Sequence, residues 1–213
     1  IKAKLKNKNL SFSFDSLIKL DPFFELNSDI YIHKIDKEIF NNINLEKIIE
    51  NKEILKKLSS SNKINYNKKK SRNNLIKSHF LQLNLAHGGL TFLSKTSVPG
   101  GLINCKGNSL LIEEYPRLNF NCNFNIEDKT KILKKFSLSK KFDKKKLVLN
   151  VVGSLNLLNK KINFEKISTD KKYIFKEEDI NFFKKTFEKV LFNEGFFNIF
   201  HISKIKNFLR EII

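Results

Sequence analysis

The stretch LNFNCNFNI, residues 118–126, carries the clearest structural pattern of this chain, because apolar residues occupy its even positions and asparagine occupies its odd ones. Successive side chains of a β-strand point to opposite faces, whereas a helix would scatter these apolar residues around its circumference. The stretch is therefore predicted to be a strand with one apolar face and one polar face.

The same alternation recurs along much of the chain. It is found in five further segments, at residues 1–6, 10–14, 81–85, 147–157 and 162–164. Short turns join several of them, at residues 87–89, 99–101 and 159–160. Gly153 interrupts the fourth segment and predicts a bulge or bend. Because the turns are short and no long crossover is evident, most strand pairs are predicted to be antiparallel.

Helical spacing of apolar residues is confined to three regions. Leucine and isoleucine recur at this spacing at about residues 44–59, which predicts an amphipathic helix, and a short helix is predicted at 128–137. An acidic first turn at residues 177–179 begins a C-terminal helical segment. That segment is predicted to stop at Gly195 and to resume at about residues 203–212.

These patterns together predict an α+β fold, which is predominantly an antiparallel curled β-sheet with an inserted helix and a helical C-terminus. We expect residues 1–170 to form the sheet with its inserted helix. Residues 171–213 are expected to pack on the sheet or cap it. Residues 62–74, which are rich in lysine and asparagine, are predicted to form a solvated loop.

The chain contains no methionine and begins at Ile1, so we expect it to be part of a larger protein. An anchoring or targeting segment would then precede residue 1. The chain itself has no apolar run of about 18 residues, the length that predicts a membrane-spanning helix.

The formal net charge of +19 raises the alternative of a basic nucleic-acid-binding module. Only three of the 41 basic residues are arginine, which recognises phosphate and guanine through paired hydrogen bonds. Lysine is abundant together with asparagine, isoleucine and phenylalanine, which is typical of an AT-rich coding sequence. The charge is therefore interpreted mainly as a property of composition, and nucleic acid is not the favoured partner.

Residues that could carry chemistry are sparse. The four histidines lack metal-ligand spacing, and the turn at residues 87–89 lacks the nucleophile motif of an esterase. Glu113 and Glu114 are consecutive, so on a strand they would point to opposite faces. We therefore predict a non-enzymatic protein without a catalytic residue, a metal or a cofactor. Cys105 and Cys122 could form one disulfide if their strands are neighbours, but they are interpreted as two small buried side chains.

A sheet with one continuous apolar face has to cover that face. Periodicity alone favours an ordinary core covered by the helical segments. The alternative is a curled sheet whose concave face is a groove for acyl chains, with lysines at its rim contacting anionic phospholipid head groups. The residues predicted to line such a groove are Leu118, Phe120, Phe124, Leu147, Leu149, Val151, Leu155 and Leu157.

The stretch LNVVGSLNLLNKKINF, residues 149–164, resembles hairpins of AsmA-like C-terminal regions, with the pattern G-x-(L/I)-N-(L/I)-x-(T/N)-x-x-(I/L)-x-F. The segments at residues 9–14, 89–92 and 101–107 are similar strands. The likeness covers about residues 1–20 and 75–168, whereas residues 176–213 match no motif of the family.

The resemblance implies a periplasmic protein, anchored upstream in the inner membrane, whose curled sheet binds or passes phospholipid in outer-membrane biogenesis. It shifts the interpretation from a covered core to a groove that shields acyl chains without a covalent step. The C-terminal helices are predicted to plug the groove, to approach a membrane or to dock an envelope protein. Two alternatives are kept, namely a nucleic-acid-binding module and a purely structural envelope scaffold with a closed core.

Overall fold

The computed structural model describes residues 1–21, 24–35, 44–67, 75–138, 146–169, 173–191 and 202–212. These residues form one ten-stranded sheet and five helices. The strands are β1 (Lys2–Lys6), β2 (Leu10–Lys19), β3 (Phe24–Ile35), β4 (Leu58–Asn67), β5 (Ser78–Ala86), β6 (Gly89–Val98), β7 (Gly101–Leu110), β8 (Arg117–Ile126), β9 (Leu147–Asn156) and β10 (Ile162–Thr169). The helices are α1 (Leu45–Glu50), α2 (Lys52–Lys57), α3 (Lys129–Lys135), α4 (Glu177–Leu191) and α5 (Ile202–Ile212).

The strands lie in the sheet in their order along the chain, from β1 at one edge to β10 at the other. Every neighbouring pair is antiparallel except β3 and β4, which are parallel and are joined through α1 and α2. Parallel neighbours need a crossover connection, which accounts for helices at this point of the meander. The prediction of an α+β fold dominated by an antiparallel curled sheet is confirmed.

The cross-strand registers place most of the apolar residues of neighbouring strands on one face, which is the concave face of the curled sheet. Phe124 of β8, for example, lies opposite Ile103 of β7 and Leu149 of β9. Directly opposite residues share a face, so the alternation stays in phase from strand to strand. The asparagines of β8 lie on the convex face, where Nδ2 of Asn150 donates a hydrogen bond of 2.9 Å to Oδ1 of Asn121.

The packed core lies at one end of the strands, against the helical insert α1–α2. Its buried residues are Ile49, Leu55, Leu111, Leu155, Leu157 and Ile162. Glu46 of α1 forms an ion pair with Lys160 in the β9–β10 turn, with 3.4 Å between Oε1 and Nζ. The insert thus extends from β4 along the strand ends as far as the last hairpin. We call this row of strand ends, which includes residues 87–88 and 157–161, the insert rim. The opposite row, which includes the turn at residues 99–100 and α3, is the α3 rim.

The helical predictions need one correction at the insert. The single helix predicted at about residues 44–59 is two short helices, because Asn51 interrupts it. The helices predicted at 128–137 and near both ends of the C-terminal segment are present as α3, α4 and α5. The predicted stop at Gly195 lies outside the described residues.

Two predictions for the strands also change. Residues 62–67 belong to β4 and not to a loop, because Ile64 and Tyr66 pair with residues of both β3 and β5; residues 68–74 lie outside the described part. The bulge is on β10, at the register shift between Phe164 and Lys166. Gly153 lies opposite Phe164 and permits a close approach, because a Cβ there would lie 2.3 Å from the carbonyl oxygen of Asn163.

Candidate functional site

The concave face between the two rims is the candidate functional site. The described helices pack at the insert rim, on β10 and at the α3 rim, and the apolar side chains between them are only half-buried. One such residue from each of β2 to β9 is Phe14, Ile30, Ile64, Leu81, Phe92, Ile103, Phe124 and Leu149. We call this half-buried surface the trough.

The charged side chains at the paired positions of the strands lie on the face opposite the trough. At the paired positions of β1 to β10, every lysine, arginine, aspartate and glutamate lies on the convex face. Lys63, Lys95 and Lys106 are examples from the middle of the sheet, and all three are exposed. A concave apolar surface without charged side chains is suited to an apolar ligand and offers no counter-charge to an ionic one.

Polar side chains on the concave face bond to one another. The hydroxyl of Ser16 donates to Oγ of Ser28 at 2.9 Å, and both residues are buried. Nδ1 of His79 lies 2.8 Å from Oγ1 of Thr96. Burial lowers the pKa of His79, because desolvation disfavours the imidazolium form. The imidazole is therefore neutral at pH 7, and the trough keeps its apolar character.

The eight predicted lining residues fall into two groups. Five of them belong to the core or are buried, namely Leu118, Phe120, Val151, Leu155 and Leu157. Phe124 and Leu149 are half-buried in the trough, and Leu147 is 36% exposed at the α3 rim. Residues of the helical insert and α4 pack in the same cluster as Leu118, Phe120, Leu155 and Leu157, so the surface open to a ligand is lined mainly by other residues.

Sequence reasoning missed the lining residues of β3 and β4. Ile30 and Ile32 alternate with Tyr31 and His33, which is a strand signal, but Asn27 and Ser28 obscure its start. The parallel pairing brings Ile30 opposite Ile64 and thereby extends the trough. Periodicity marks only part of each strand and does not reveal that the two strands are neighbours.

Cys105 and Cys122 form a disulfide across β7 and β8. The register places them directly opposite each other on the concave face, with 4.1 Å between their Cα atoms. Their interpretation as two unlinked buried side chains was therefore wrong. The pairing is decided by the register, which the separation of the two cysteines in the sequence does not reveal.

Among the residues that the structure describes, no group of three or more His, Cys, Asp or Glu could hold a metal ion. None of the described helices combines the length and the apolar character that crossing a membrane requires.

No protein-family model, curated protein or solved structure matches this chain. The resemblance to AsmA-like proteins therefore stays a prediction that rests on the residues quoted above.

Proposed function

We propose that the chain binds the acyl chains of phospholipid in the trough, as part of a non-enzymatic, AsmA-like envelope protein in the periplasm. The observation that carries this proposal is the trough itself, a half-buried apolar surface on a face from which the charged residues of the strands are excluded. The alternative of a scaffold with a closed core predicts that this face is packed throughout.

The dimensions and energetics of the trough suit acyl chains. A ten-residue strand such as β8 spans about 34 Å. The acyl chains of one phospholipid occupy one leaflet, about half of the roughly 30 Å hydrocarbon core of a bilayer, so they fit within this length. Each methylene that leaves water for an apolar surface contributes about 0.8 kcal/mol. Binding of this kind requires no reacting group, so lipid could rest in the trough or slide along it unchanged.

The disulfide supports a location outside the cytoplasm. Cys105 and Cys122 are linked in a sheet whose other cross-strand contacts are non-covalent. Disulfides persist in oxidising compartments such as the periplasm and are rare where thiol reductants are abundant. An upstream anchor in the inner membrane is part of the same proposal.

The nucleic-acid alternative receives less support from the convex face. The lysines there are accompanied by Asp15, Asp29 and Glu25, and the central rows also include amides and hydroxyls that bond to each other. Nδ2 of Asn119, for instance, donates to Oδ1 of Asn108 at 3.2 Å. A partner protein at the C-terminal helices remains part of the proposal, since Phe182 of α4 is 51% exposed.

Native mass spectrometry of the purified chain tests lipid binding. We compare Phe124→Asp, which introduces a charge into the trough, with Asn123→Asp, its neighbour on the convex face of the same strand. The wild type and Asn123→Asp are expected to carry phospholipid at a fixed ratio, whereas folded Phe124→Asp is expected to lose it. A folded wild-type chain that neither retains nor takes up phospholipid would reject the proposal.

A further inference from the structure

The outer edge of β1 has no neighbouring strand among those that the structure describes. All residues of this strand, Lys2–Lys6, are exposed. At the other end of the sheet, Glu188 and residues 174–175 bond to the outer edge of β10. The two edges therefore differ, and β1 is the one that presents a row of backbone groups to solvent.

The hydrogen bonds between β1 and β2 determine which backbone groups of β1 point outward. Ile1 exchanges two hydrogen bonds with Ser16, at 2.6 and 2.8 Å. In an antiparallel pair, residues that bond to the neighbouring strand alternate with residues that do not. The odd-numbered residues of β1 thus bond to β2, and the N–H and C=O groups of Lys2, Lys4 and Lys6 point away from the sheet.

The edge lacks two of the features that commonly prevent edge strands from pairing. Such strands are often protected by proline, by a bulge or by charged side chains. The register of β1 with β2 is continuous over Lys2–Lys6, and the strand contains no proline. Its protection comes from lysines, which repel a strand of like charge and attract an acidic one.

The lysines of β1 all lie on the convex face. Lys2 forms an ion pair of 3.0 Å with Asp15, whereas Lys4 and Lys6 lie opposite serines of β2. A carboxylate on an added strand, directly opposite Lys4 or Lys6, would lie on the same face as the ammonium group and within its reach. An acidic strand is therefore favoured at these two positions in particular.

The other side chains of β1 belong to the concave face. Ala3 and Leu5 lie opposite Phe14 and Phe12, whose rings are 5.8 Å apart between centroids. Leu5 is 43% exposed. An apolar side chain on an added strand would cover Leu5 and continue the trough by one strand. The edge therefore suits a strand whose residues alternate between acidic and apolar.

A second copy of this chain suits the edge poorly. Two β1 strands related by a twofold axis pair antiparallel, and directly opposite side chains share a face. Because the outward-pointing residues of β1 are lysines, such a pair would place lysine opposite lysine on the convex face. Like charges directly opposite each other destabilise a strand pair, so the edge disfavours self-association.

We propose that the outer edge of β1 binds an extended acidic segment of a partner protein, which adds one antiparallel strand to the ten-stranded sheet. Its carboxylates contact Lys4 and Lys6 on the convex face, and its apolar residues lie beside Ala3 and Leu5 on the concave face. The outward-pointing backbone groups of β1 form its hydrogen bonds, as in other cases of strand addition. The inference goes beyond the proposed function, and it holds whichever ligand occupies the trough.

The test is titration of the full, disulfide-bonded chain with a short blocked peptide that alternates glutamate and valine. A control peptide has lysine in place of each glutamate. Two further versions of the acidic peptide carry backbone N-methyl groups, one at the glutamates and the other at the valines. In an antiparallel pair the glutamate amides point toward β1 and the valine amides point away, so only the first set is needed for binding.

Two variants of the chain test the role of the lysines. One carries Lys4→Glu and Lys6→Glu, which reverses the charge of the edge. A matched variant carries Lys95→Glu and Lys106→Glu, which makes the same change on the convex face in the middle of the sheet. All four lysines are exposed, so neither variant removes a packed side chain.

The wild type and the Lys95/Lys106 variant are expected to bind the acidic peptide about tenfold more tightly than the basic one, a preference that shrinks as salt is added. The Lys4/Lys6 variant should reverse the preference. Methylation at the glutamates should abolish binding, and methylation at the valines should leave it unchanged. The bound peptide should also protect the outward-pointing amides of β1 from hydrogen exchange.

Binding that survives methylation at the glutamates, or an equal loss of preference in both variants, would overturn the inference. So would a folded wild-type chain that binds neither peptide. A wild-type chain that sediments as a dimer, with the outward-pointing amides of β1 protected in the absence of peptide, would show that a second copy occupies the edge instead.

Discussion

Glu188 of α4 accepts a hydrogen bond from the backbone N–H of Ile162 at the start of β10, with 3.0 Å between Oε1 and the amide nitrogen. The outer edge of β10 is further occupied where the N–H of Phe175 donates to the carbonyl oxygen of Ile167 at 3.0 Å. Ile174 adds an isolated bridge to Ser168. The sheet is therefore closed on this side by the segment that leads into α4.

The opposite edge is expected to exchange amide hydrogens quickly. Ile1 and Ser16 bond to each other through both backbone groups, so in β1 the amides of Ala3 and Leu5 point toward β2. Those of Lys2, Lys4 and Lys6 point away from the sheet. Hydrogen exchange resolved by NMR should show protection that alternates along β1, and protection of Ile162 in β10. Equal protection along β1 would mean that another strand occupies its outer edge.

Removing the disulfide is expected to destabilise the sheet. A crosslink that closes a loop of this length contributes about 3 kcal/mol in the chain-entropy model, and Cys105 and Cys122 are separated by 17 residues. The double variant Cys105→Ala, Cys122→Ala should unfold at a lower urea concentration than the oxidised wild type. The reduced wild type serves as the control and should approach the variant. If the oxidised and reduced proteins unfold at the same urea concentration, Cys105 and Cys122 are not joined by a disulfide.

A chain of aromatic contacts joins the C-terminal helices to the sheet. Phe164 of β10 contacts Phe187 of α4 at 5.8 Å between ring centroids, and Phe187 contacts Phe208 of α5 at 5.6 Å. Phe187→Ala is expected to lower the free energy of unfolding by about 2–4 kcal/mol. The substitution removes both ring contacts and leaves a cavity between the two helices and β10. Phe182→Ala, on the exposed side of α4, should cost less than about 1 kcal/mol. Equal costs in chemical denaturation would show that α4 does not pack as described.

Stability should fall in mild acid partly because of His79. Burial lowers the pKa of this imidazole, so the unfolded chain binds a proton more readily than the folded one. The neutral imidazole contributes fully to the free energy of unfolding above the pKa of His79 in the unfolded chain, which is about 6.5. This contribution is lost as the pH falls through the lower pKa of His79 in the folded chain. NMR titration should place the pKa of His79 below the ordinary range. His79→Gln should reduce the loss of stability between neutral and mildly acidic pH, and an unchanged profile would contradict this assignment.

Much of the sheet could be predicted because its central strands alternate clearly. Every second residue from Leu118 to Ile126 is apolar, and the register then puts all of them on the concave face. β3 and β4 were not recognised as strands because runs such as Leu58–Asn62, with three consecutive serines, lack alternation. Their parallel pairing is a contact between distant parts of the chain that the crossover connection makes possible. Such a contact leaves no local pattern in the sequence.

The division between core and trough could not be predicted either. Parity in the sequence puts Leu155 and Leu149 on the same face, but it does not say which of them a helix covers. That depends on the path of α1 to the β9–β10 turn, where Glu46 meets Lys160. The disulfide was not predicted for a related reason. The register of β7 and β8 places Cys105 directly opposite Cys122, and the sequence alone does not reveal that register.

Whether phospholipid occupies the trough can be measured by photo-crosslinking from two adjacent positions of β6. Phe92 is half-buried on the concave face, and Leu93 is 37% exposed on the convex face. A benzophenone side chain is introduced at each position in turn, and the chain is illuminated with radiolabelled phospholipid. Strong lipid crosslinking from position 92 and little from position 93 is the predicted result. Equal crosslinking from both positions, or none from position 92 in a folded chain, would show that phospholipid does not bind in the trough.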